Sequence, residues 1–368
     1  MRFLQLFFFS SAVLFILISC TATGTSILPG TLEINIPDTP VSLKDTISIT
    51  AVGDIMIGSA YPTKANLPRH DGLRSFKYVD TFLKGDIVFG NLEGCFLNTG
   101  RSTKCKDTTG NSCFAFRMPE RDAGIIKQAG FNLLSIANNH VGDFGLKGRE
   151  KTTELLDSLE IRYAGLQSHP FIIFEKDSVR YAFCAFSPNE NTLSINQVDS
   201  AKALVTALKT QVNLVIVSFH GGAEGAKFER VPKTNEIFYK ENRGNVYSFA
   251  HSVIDAGADV VLGHGPHVTR AIEVYKNKFI AYSLGNFCTY GMFSLSGPSG
   301  IAPILQLKVN AKGDFLFADI VSVKQTKLTG LKTDPSYSAF KKIQFLTDLD
   351  FPQHQFVFSG SGHVELKK

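Results

Sequence analysis

The chain has 368 residues, 44% hydrophobic and 19% charged, a balance that excludes a disordered protein and leaves room for one large domain or two ordinary ones. Lysine plus arginine exceed aspartate plus glutamate by 38 − 33 = 5, and no basic run concentrates that surplus. A nucleic-acid partner is therefore not expected.

Residues 3–18 are almost wholly apolar, follow the single charge of Arg2, and lead into Leu17-Ile18-Ser19-Cys20. The run is short for a bilayer span and suits a signal-peptide core. The tetrapeptide resembles a bacterial lipobox, which implies cleavage before Cys20 and lipidation of its thiol. Such an anchor places the chain in the cell envelope, on the outer membrane or facing the periplasm in a Gram-negative cell. An ordinary secretory signal with a chance cysteine is the plainer alternative. Residues 21–45 contain Thr, Pro and Ser without a sustained period and read as a tether.

Beyond the tether, Ile47, Ile49 and Ala51 alternate into Val52-Gly53-Asp54, a strand that ends on a carboxylate. Residues 76–83 are expected to form a short helix. Residues 86–90 form the next strand, which exits into Asn91-Leu92-Glu93. Pro119 and Glu120 open a helix that Gly130 closes. Leu133, Leu134, Ile136 and Ala137 form a short buried strand that changes within one residue to Asn138, Asn139, His140 and Asp143. Residues 146–159 read as an amphipathic helix, 161–164 as a strand, and 171–175 with 180–186 as a hairpin. A helix over 198–209 precedes an unbroken apolar strand, 214–219, that ends on His220, with Glu224 four residues on. A variable loop runs to Gly244, a helix covers 247–256, and a strand over 260–263 delivers His264-Gly265-Pro266-His267. Residues 279–284 form a strand ending in Gly285-Asn286. Strands over 304–309 and 315–323 pair, and the tail after Leu331 is mixed and polar. The expected layout is a signal segment with its cysteine over 1–20, a tether over 21–45, one domain over 46–331 and a C-terminal extension over 332–368, packed on the domain or trailing it.

Export implies an oxidising compartment. Cys105 and Cys113 bracket a polar loop and are the natural disulfide pair. Cys184 and Cys288 sit among Phe, Ala and Tyr and read as buried thiols. Cys95 remains able to compete for either partner.

Taken singly, each polar strand end is an ordinary turn. Together they put Asp54, Glu93, Asn139, His140, His220, His264 and His267 at the carboxyl ends of successive buried strands, where open α/β sheets place their ligand sites. Carboxylates, an amide oxygen and imidazoles suit manganese, zinc or iron better than an all-oxygen cage for magnesium or calcium. Enough donors are present for one or two divalent ions. A polar crevice of satisfied histidines is the alternative.

The blocks VGDIMIGS, FGNLEG, ANNHVGDFG, SFHGGAE, GHGPHV and YSLGNF, in this order and spanning residues 52–287, resemble the capsule-biosynthesis CapA family, also called poly-γ-glutamate synthesis proteins. That family is similar in turn to calcineurin-like metallophosphoesterases. The resemblance implies an α/β class, a four-layer α/β/β/α sandwich with a metal site at one rim, and work on an anionic envelope polymer or its precursor beside the capsule-synthesis machinery. It implies that Asp54, Glu93, Asn139, His220, His264 and His267 are metal ligands and that His140 protonates a leaving group or binds the transferred group. Asn91 stands beside the bridging acid. Asp143 either orients His140 or makes an Asx turn. Glu224 is a candidate general base or ligand, and Asn286 a cap on the rim or a turn residue. Met56 stands where phosphoesterases carry a histidine, and His264 and His267 are spaced H-x-x-H rather than H-x-H, which leaves open which of the two binds. Two functions follow: a metal-dependent hydrolase of a phosphoester or γ-glutamyl amide, or a non-catalytic polyanion-binding or export accessory lipoprotein with a structural or vestigial metal.

Overall fold

A computed structural model describes residues 44–105, 113–360 and 362–368. The signal-like segment, Cys20 and nearly all of the tether lie outside the described residues. Among the described residues no helix is long and apolar enough to cross a membrane.

Two sheets face each other. The first is built on β1 (Thr46–Met56), flanked on one side by β2 (Ile87–Leu92), β3 (Leu133–Ser135) and β4 (Arg162–Ala164), all parallel to it. The second places β5 (Phe171–Lys176), β6 (Val179–Ser187), β7 (Leu214–His220), β8 (Val260–His264), β10 (Lys278–Ala281) and β9 (Ile272–Tyr275) side by side in that order. The β6, β7, β8 and β10 strands run parallel, while the hairpins β5–β6 and β9–β10 make its edges antiparallel. Asp177 and Ser178 take positive φ in the first hairpin turn, the conformation a two-residue turn needs to match strand twist. On its other side β1 is met by β11 (Asn286–Thr289) along its second half and by β12 (Ile301–Asn310) along its first. The sheet continues through β13 (Phe315–Thr326), which carries β14 (Gly330–Thr333) at one end.

Alternation along the strands divides the apolar residues into three layers. Ile47, Ile49, Ala51 and Phe89 of the first sheet meet Tyr181, Phe183, Ile216 and Leu262 of the second in one buried cluster. The opposite face of the first sheet packs Val52, Ile55 and Leu134 against α1 (Asp122–Gln128) and α2 (Gly145–Ser158) through Ile125, Ile126 and Leu156. The outer face of the second sheet packs Ala182, Val215 and Val261 against α3 (Val198–Lys209) and α4 (Val246–Asp255) through Val205, Leu208, Phe249 and Val253. The result is a four-layer α/β/β/α sandwich. Strands buried on both faces explain why the sequence shows them as unbroken apolar runs.

Residues beyond 331 contribute to the same body. Helix α5 (Ser338–Asp350) sends Phe340 and Ile343 into the cluster between the sheets, and β15 (Phe356–Ser359) with β16 (His363–Leu366) extends the first sheet beside β13. The helix expected over 76–83 is absent: the segment is a series of turns with a single 3-10 turn, Asp80–Phe82. Eight residues leave little helix once the ends are discounted, and Phe76, Val79 and Leu83 are already buried by the turns.

Cys105 and Cys113 form a disulfide, with Cα atoms 5.7 Å apart, while Cys95, Cys184 and Cys288 are buried thiols. Replacing both bridged cysteines by serine is expected to lower stability by roughly 2–3 kcal/mol, because the cross-link restricts the unfolded chain. Urea denaturation with and without the substitutions measures it, and an unchanged midpoint would show that the loop is held by other contacts.

Candidate metal centre and cleft

The parallel strands of both sheets end at one rim, and their registers align the polar residues there. Asp54 lies opposite Asn91 on β2 and opposite Asn286 on β11, and His220 lies opposite His264. Gly53 makes the approach to β11 possible. A Cβ on it would stand 1.8 Å from the Gly285 carbonyl oxygen, and the Asp54 amide donates to that same oxygen at 2.8 Å.

Asp54, Asn91, Glu93, His220 and His264 are fully buried, and His267 nearly so. Asp54 Oδ2 accepts from His267 Nδ1 at 2.8 Å, and Asp54 Oδ1 lies 3.4 Å from His264 Nδ1. Asn91 Nδ2 donates to Asp54 Oδ1 at 2.8 Å and also to Glu93 Oε2, so one amide holds both carboxylates. Its own Oδ1 accepts from Asn138 Nδ2 at 3.1 Å, which fixes the orientation of the amide. His220 Nδ1 stands 3.4 Å from Glu93 Oε2. Donor atoms of Asp54, Glu93 and His220 all lie within 4.8 Å of one another.

The electrostatics are those of charges crowded out of water. Burial raises the Asp54 carboxyl, but the close imidazoles of His264 and His267, the latter hydrogen-bonded to it, outweigh burial and hold it below the usual carboxylate range. Burial and the neighbouring Asp54 charge push Glu93 up to about 8. Burial lowers His267, yet its bond to Asp54 prevails and raises it to about 9. Burial drives His220 well below the ordinary imidazole value.

Several buried donor atoms here have no hydrogen-bond partner: Glu93 Oε1, Asn139 Oδ1, and both ring nitrogens of His220 and of His264. Buried polar atoms are ordinarily satisfied, and leaving one unsatisfied costs about 1–3 kcal/mol. Six such atoms from four residues at one strand-end rim fit a bound cation, which would also offset the repulsion between Asp54 and Glu93. The residues present therefore fit one or two divalent metal ions. Met56 does not contribute: it is buried in the apolar cluster beneath the first sheet.

Beside this cluster a cleft of about 690 Å³ opens, lined by Asn139, His140, His267, Asn286, Glu224 and Arg243 among others. Asn138, rather than Asp143, makes the Asx turn at the end of β3: its Oδ1 accepts from the amides of His140 at 3.0 Å and Val141 at 2.9 Å. Asp143 instead orients His140, with Oδ2 2.7 Å from Nδ1 and also accepting from the Phe116 amide at 2.7 Å. The His140 ring stacks on Phe116 at 3.8 Å, and burial lowers its pKa against the pull of Asp143. That leaves Nε2 as the nitrogen available to a substrate. Glu224 is at the cleft wall but engaged, accepting from Arg243 Nη2 at 2.7 Å. Asn286 donates to the Ser299 carbonyl at 3.2 Å, and its Oδ1 is buried without a partner.

Sequence reasoning passed over Lys104, Phe116, Arg243 and the buried pair Arg270–Glu236. Lys104 carried a faint signal in preceding a bridged cysteine, and the others none, because their partners are distant in the chain.

Fold and cluster together define an α/β/β/α protein with a carboxylate–imidazole centre at one rim. A family model described as bacterial capsule synthesis protein PGA_cap matches residues 48–290. The chain belongs to that family. It is 29% identical over 266 residues to capsule biosynthesis protein CapA of Bacillus anthracis, covering 66% of this chain and 60% of that protein. It is 27% identical over 288 residues to PGA biosynthesis protein CapA of Bacillus subtilis, covering 74% of this chain and 70% of that protein. The chain thus spans well under the full length of these relatives. Among solved structures, a putative 5'-nucleotidase from Staphylococcus aureus superposes with a TM-score of 0.43 at 11% identity, covering 78% of this chain and 53% of that one.

Proposed function

We propose that the chain is a metal-dependent hydrolase of the cell envelope that acts in capsular polymer synthesis or processing. Its substrate is a phosphoester or γ-glutamyl amide in an anionic polymer or its precursor. The observation that carries this reading is a cluster of buried unpartnered donor atoms lying beside a cleft that an oriented histidine lines.

Asp54, Glu93, Asn139, His220, His264 and His267 would hold one or two divalent transition ions, manganese, zinc or iron. A metal bound there supplies Lewis-acid activation of water and of the polarised carbonyl or phosphoryl group. Asn91 keeps the two carboxylates in place. His140, fixed by Asp143 and Phe116, delivers the Nε2 proton of its imidazolium form to the leaving group and is left neutral with Nδ1–H still held by Asp143. Glu224 reaches a base role only on leaving Arg243, and Asn286 closes the rim. Lipidation at Cys20, a tether over 21–45, an outer-membrane or periplasm-facing position in a Gram-negative cell and contact with capsule-synthesis machinery belong to the same proposal. No nucleic acid does.

Met56 supports a second reading. With an apolar thioether where the phosphoesterases carry a histidine, the centre has one donor fewer, as a non-catalytic polyanion-binding or export accessory protein would tolerate. A screen of phosphoesters, peptidoglycan fragments and γ-glutamyl polymers on the metal-supplemented protein separates the two. Turnover that falls by about 10²–10⁴-fold in His140→Ala is expected. Binding without turnover in the parent protein would sink the hydrolase and leave the accessory role.

A further inference from the structure

Of the lysine and the arginine among the described lining of the cleft, Arg243 is engaged by Glu224, and Lys104 has no part in the proposed chemistry. Lys104 Nζ donates to the Asn139 carbonyl oxygen at 3.1 Å and lies 3.2 Å from Asp143 Oδ1. An ammonium group has three donors: the Asn139 carbonyl takes one, while Asp143 Oδ1 engages the group by charge without a hydrogen bond. The third near neighbour, His140 Nδ1 at 3.5 Å, is itself the nitrogen engaged with Asp143, so it has no lone pair to offer Lys104. At least one N–H of Lys104 is left for the cleft, where the side chain is 36% exposed.

Its position is held firmly. The Asp143 carbonyl accepts from the Thr103 amide at 2.9 Å and the Ser102 hydroxyl at 2.9 Å, while Cys105, the next residue, is bridged to Cys113 on the cleft wall. Asp143 thereby sets His140 with one carboxylate oxygen, Lys104 with the other, and the Lys104 backbone with its carbonyl. Among the described lining residues Glu224 is the only carboxylate, and it is engaged by Arg243. Lys104 and Arg243 set against Glu224 leave the described lining with a net positive charge, the sign that draws an anion into a partly dry site.

We propose that Lys104 is an anion-binding residue of this cleft, receiving a carboxylate or phosphate group of the substrate beside Asn139 and His140. The proposal rests on the polyanion-directed function given above and deepens it by naming the contact. A carboxylate and a phosphate present the same acceptor oxygens, so two probes distinguish them: poly-γ-glutamate and inorganic phosphate.

Binding of each probe to the purified full chain is measured by calorimetry for the parent protein, Lys104→Met and Lys104→Arg, with metal content determined in parallel. Losing one charge-assisted hydrogen bond at a part-exposed position is expected to weaken binding about tenfold in Lys104→Met. The arginine variant should stay within about threefold of the parent, with metal content the same in all three. Which probe shows the loss names the group. If the parent binds and Lys104→Met binds equally well, the Lys104 assignment is wrong while the functional reading stands. If Lys104→Met loses metal along with affinity, or Lys104→Arg is as weak, the residue acts through the centre and the direct contact is overturned. If the parent binds neither probe, the polyanion-directed function itself fails.

Discussion

Replacing Asp54 by alanine is expected to reduce bound divalent metal from one or two ions per chain to nearly none by elemental analysis. Among the candidate ligands, Asp54 touches the most side chains of the centre. Its fully buried carboxylate meets His267 at 2.8 Å, His264 at 3.4 Å and Asn91 at 2.8 Å. A neutral methyl leaves the two imidazoles without a counter-charge and Asn91 with one acceptor instead of two. The same experiment has a thermodynamic readout. Metal at a hundredfold excess over its Kd stabilises the folded state by about 2.7 kcal/mol, so a chelator should lower the melting temperature of the parent protein by a few degrees. It should leave Asp54→Ala unmoved. Full metal content in that variant would place the centre elsewhere and remove the basis for the proposed chemistry.

The second large effect is expected at Arg270, three residues beyond His267. Its guanidinium is fully buried and grips Glu236 through two bonds of 2.8 and 2.7 Å, with Nε donating to the Phe228 carbonyl at 2.9 Å. Glu236 passes the constraint on: its carboxylate accepts from the Ala223 amide at 2.9 Å, and its backbone pairs with Arg243 and Gly244. The segment that carries Glu224 and Arg243 into the cleft is thus tied to the loop that follows His267. Gly222 belongs to the same arrangement, at φ +87 with a would-be Cβ 2.9 Å from Arg270 Nη1. Arg270→Met strands a buried carboxylate and should cost about 3–5 kcal/mol in urea denaturation. Arg270→Met combined with Glu236→Leu should recover most of that loss, since the unpaired charge is then gone. A single variant within about 1 kcal/mol of the parent would show that the pair does not hold the segment.

The strand ends were legible because of how parallel sheets are buried. Leu214–His220 is buried on both faces and, Ser218 apart, apolar up to its end, so a histidine there stands out against the run before it. The same contrast marks Asp54, Glu93, the Asn138–His140 turn and His264. Other elements left no such mark. Helix α5 divides its buried residues between two clusters, Phe340 and Ile343 in one and Leu346 in the other, and its exposed Phe345 and Leu349 blur the period. The strand Asn286–Thr289 is four residues long and looked like a turn after Gly285, yet it pairs with the very end of β1.

What the amino-acid order determined by itself is local. It set which runs are buried strands, where each stops, and which donor atoms stand at the stops, because periodicity and abrupt changes of polarity are written along the chain. What only the tertiary structure decided is pairing. Asn91 bridging Asp54 to Glu93, Asp143 serving both His140 and Lys104, Glu224 engaged by Arg243, and Arg270 closing on Glu236 all join groups whose partners no spacing rule connects. The physical reason is that a buried charge or amide takes whatever complementary atom the packed layers bring within about 3 Å, and that choice belongs to the crossing of strands rather than to their sequence.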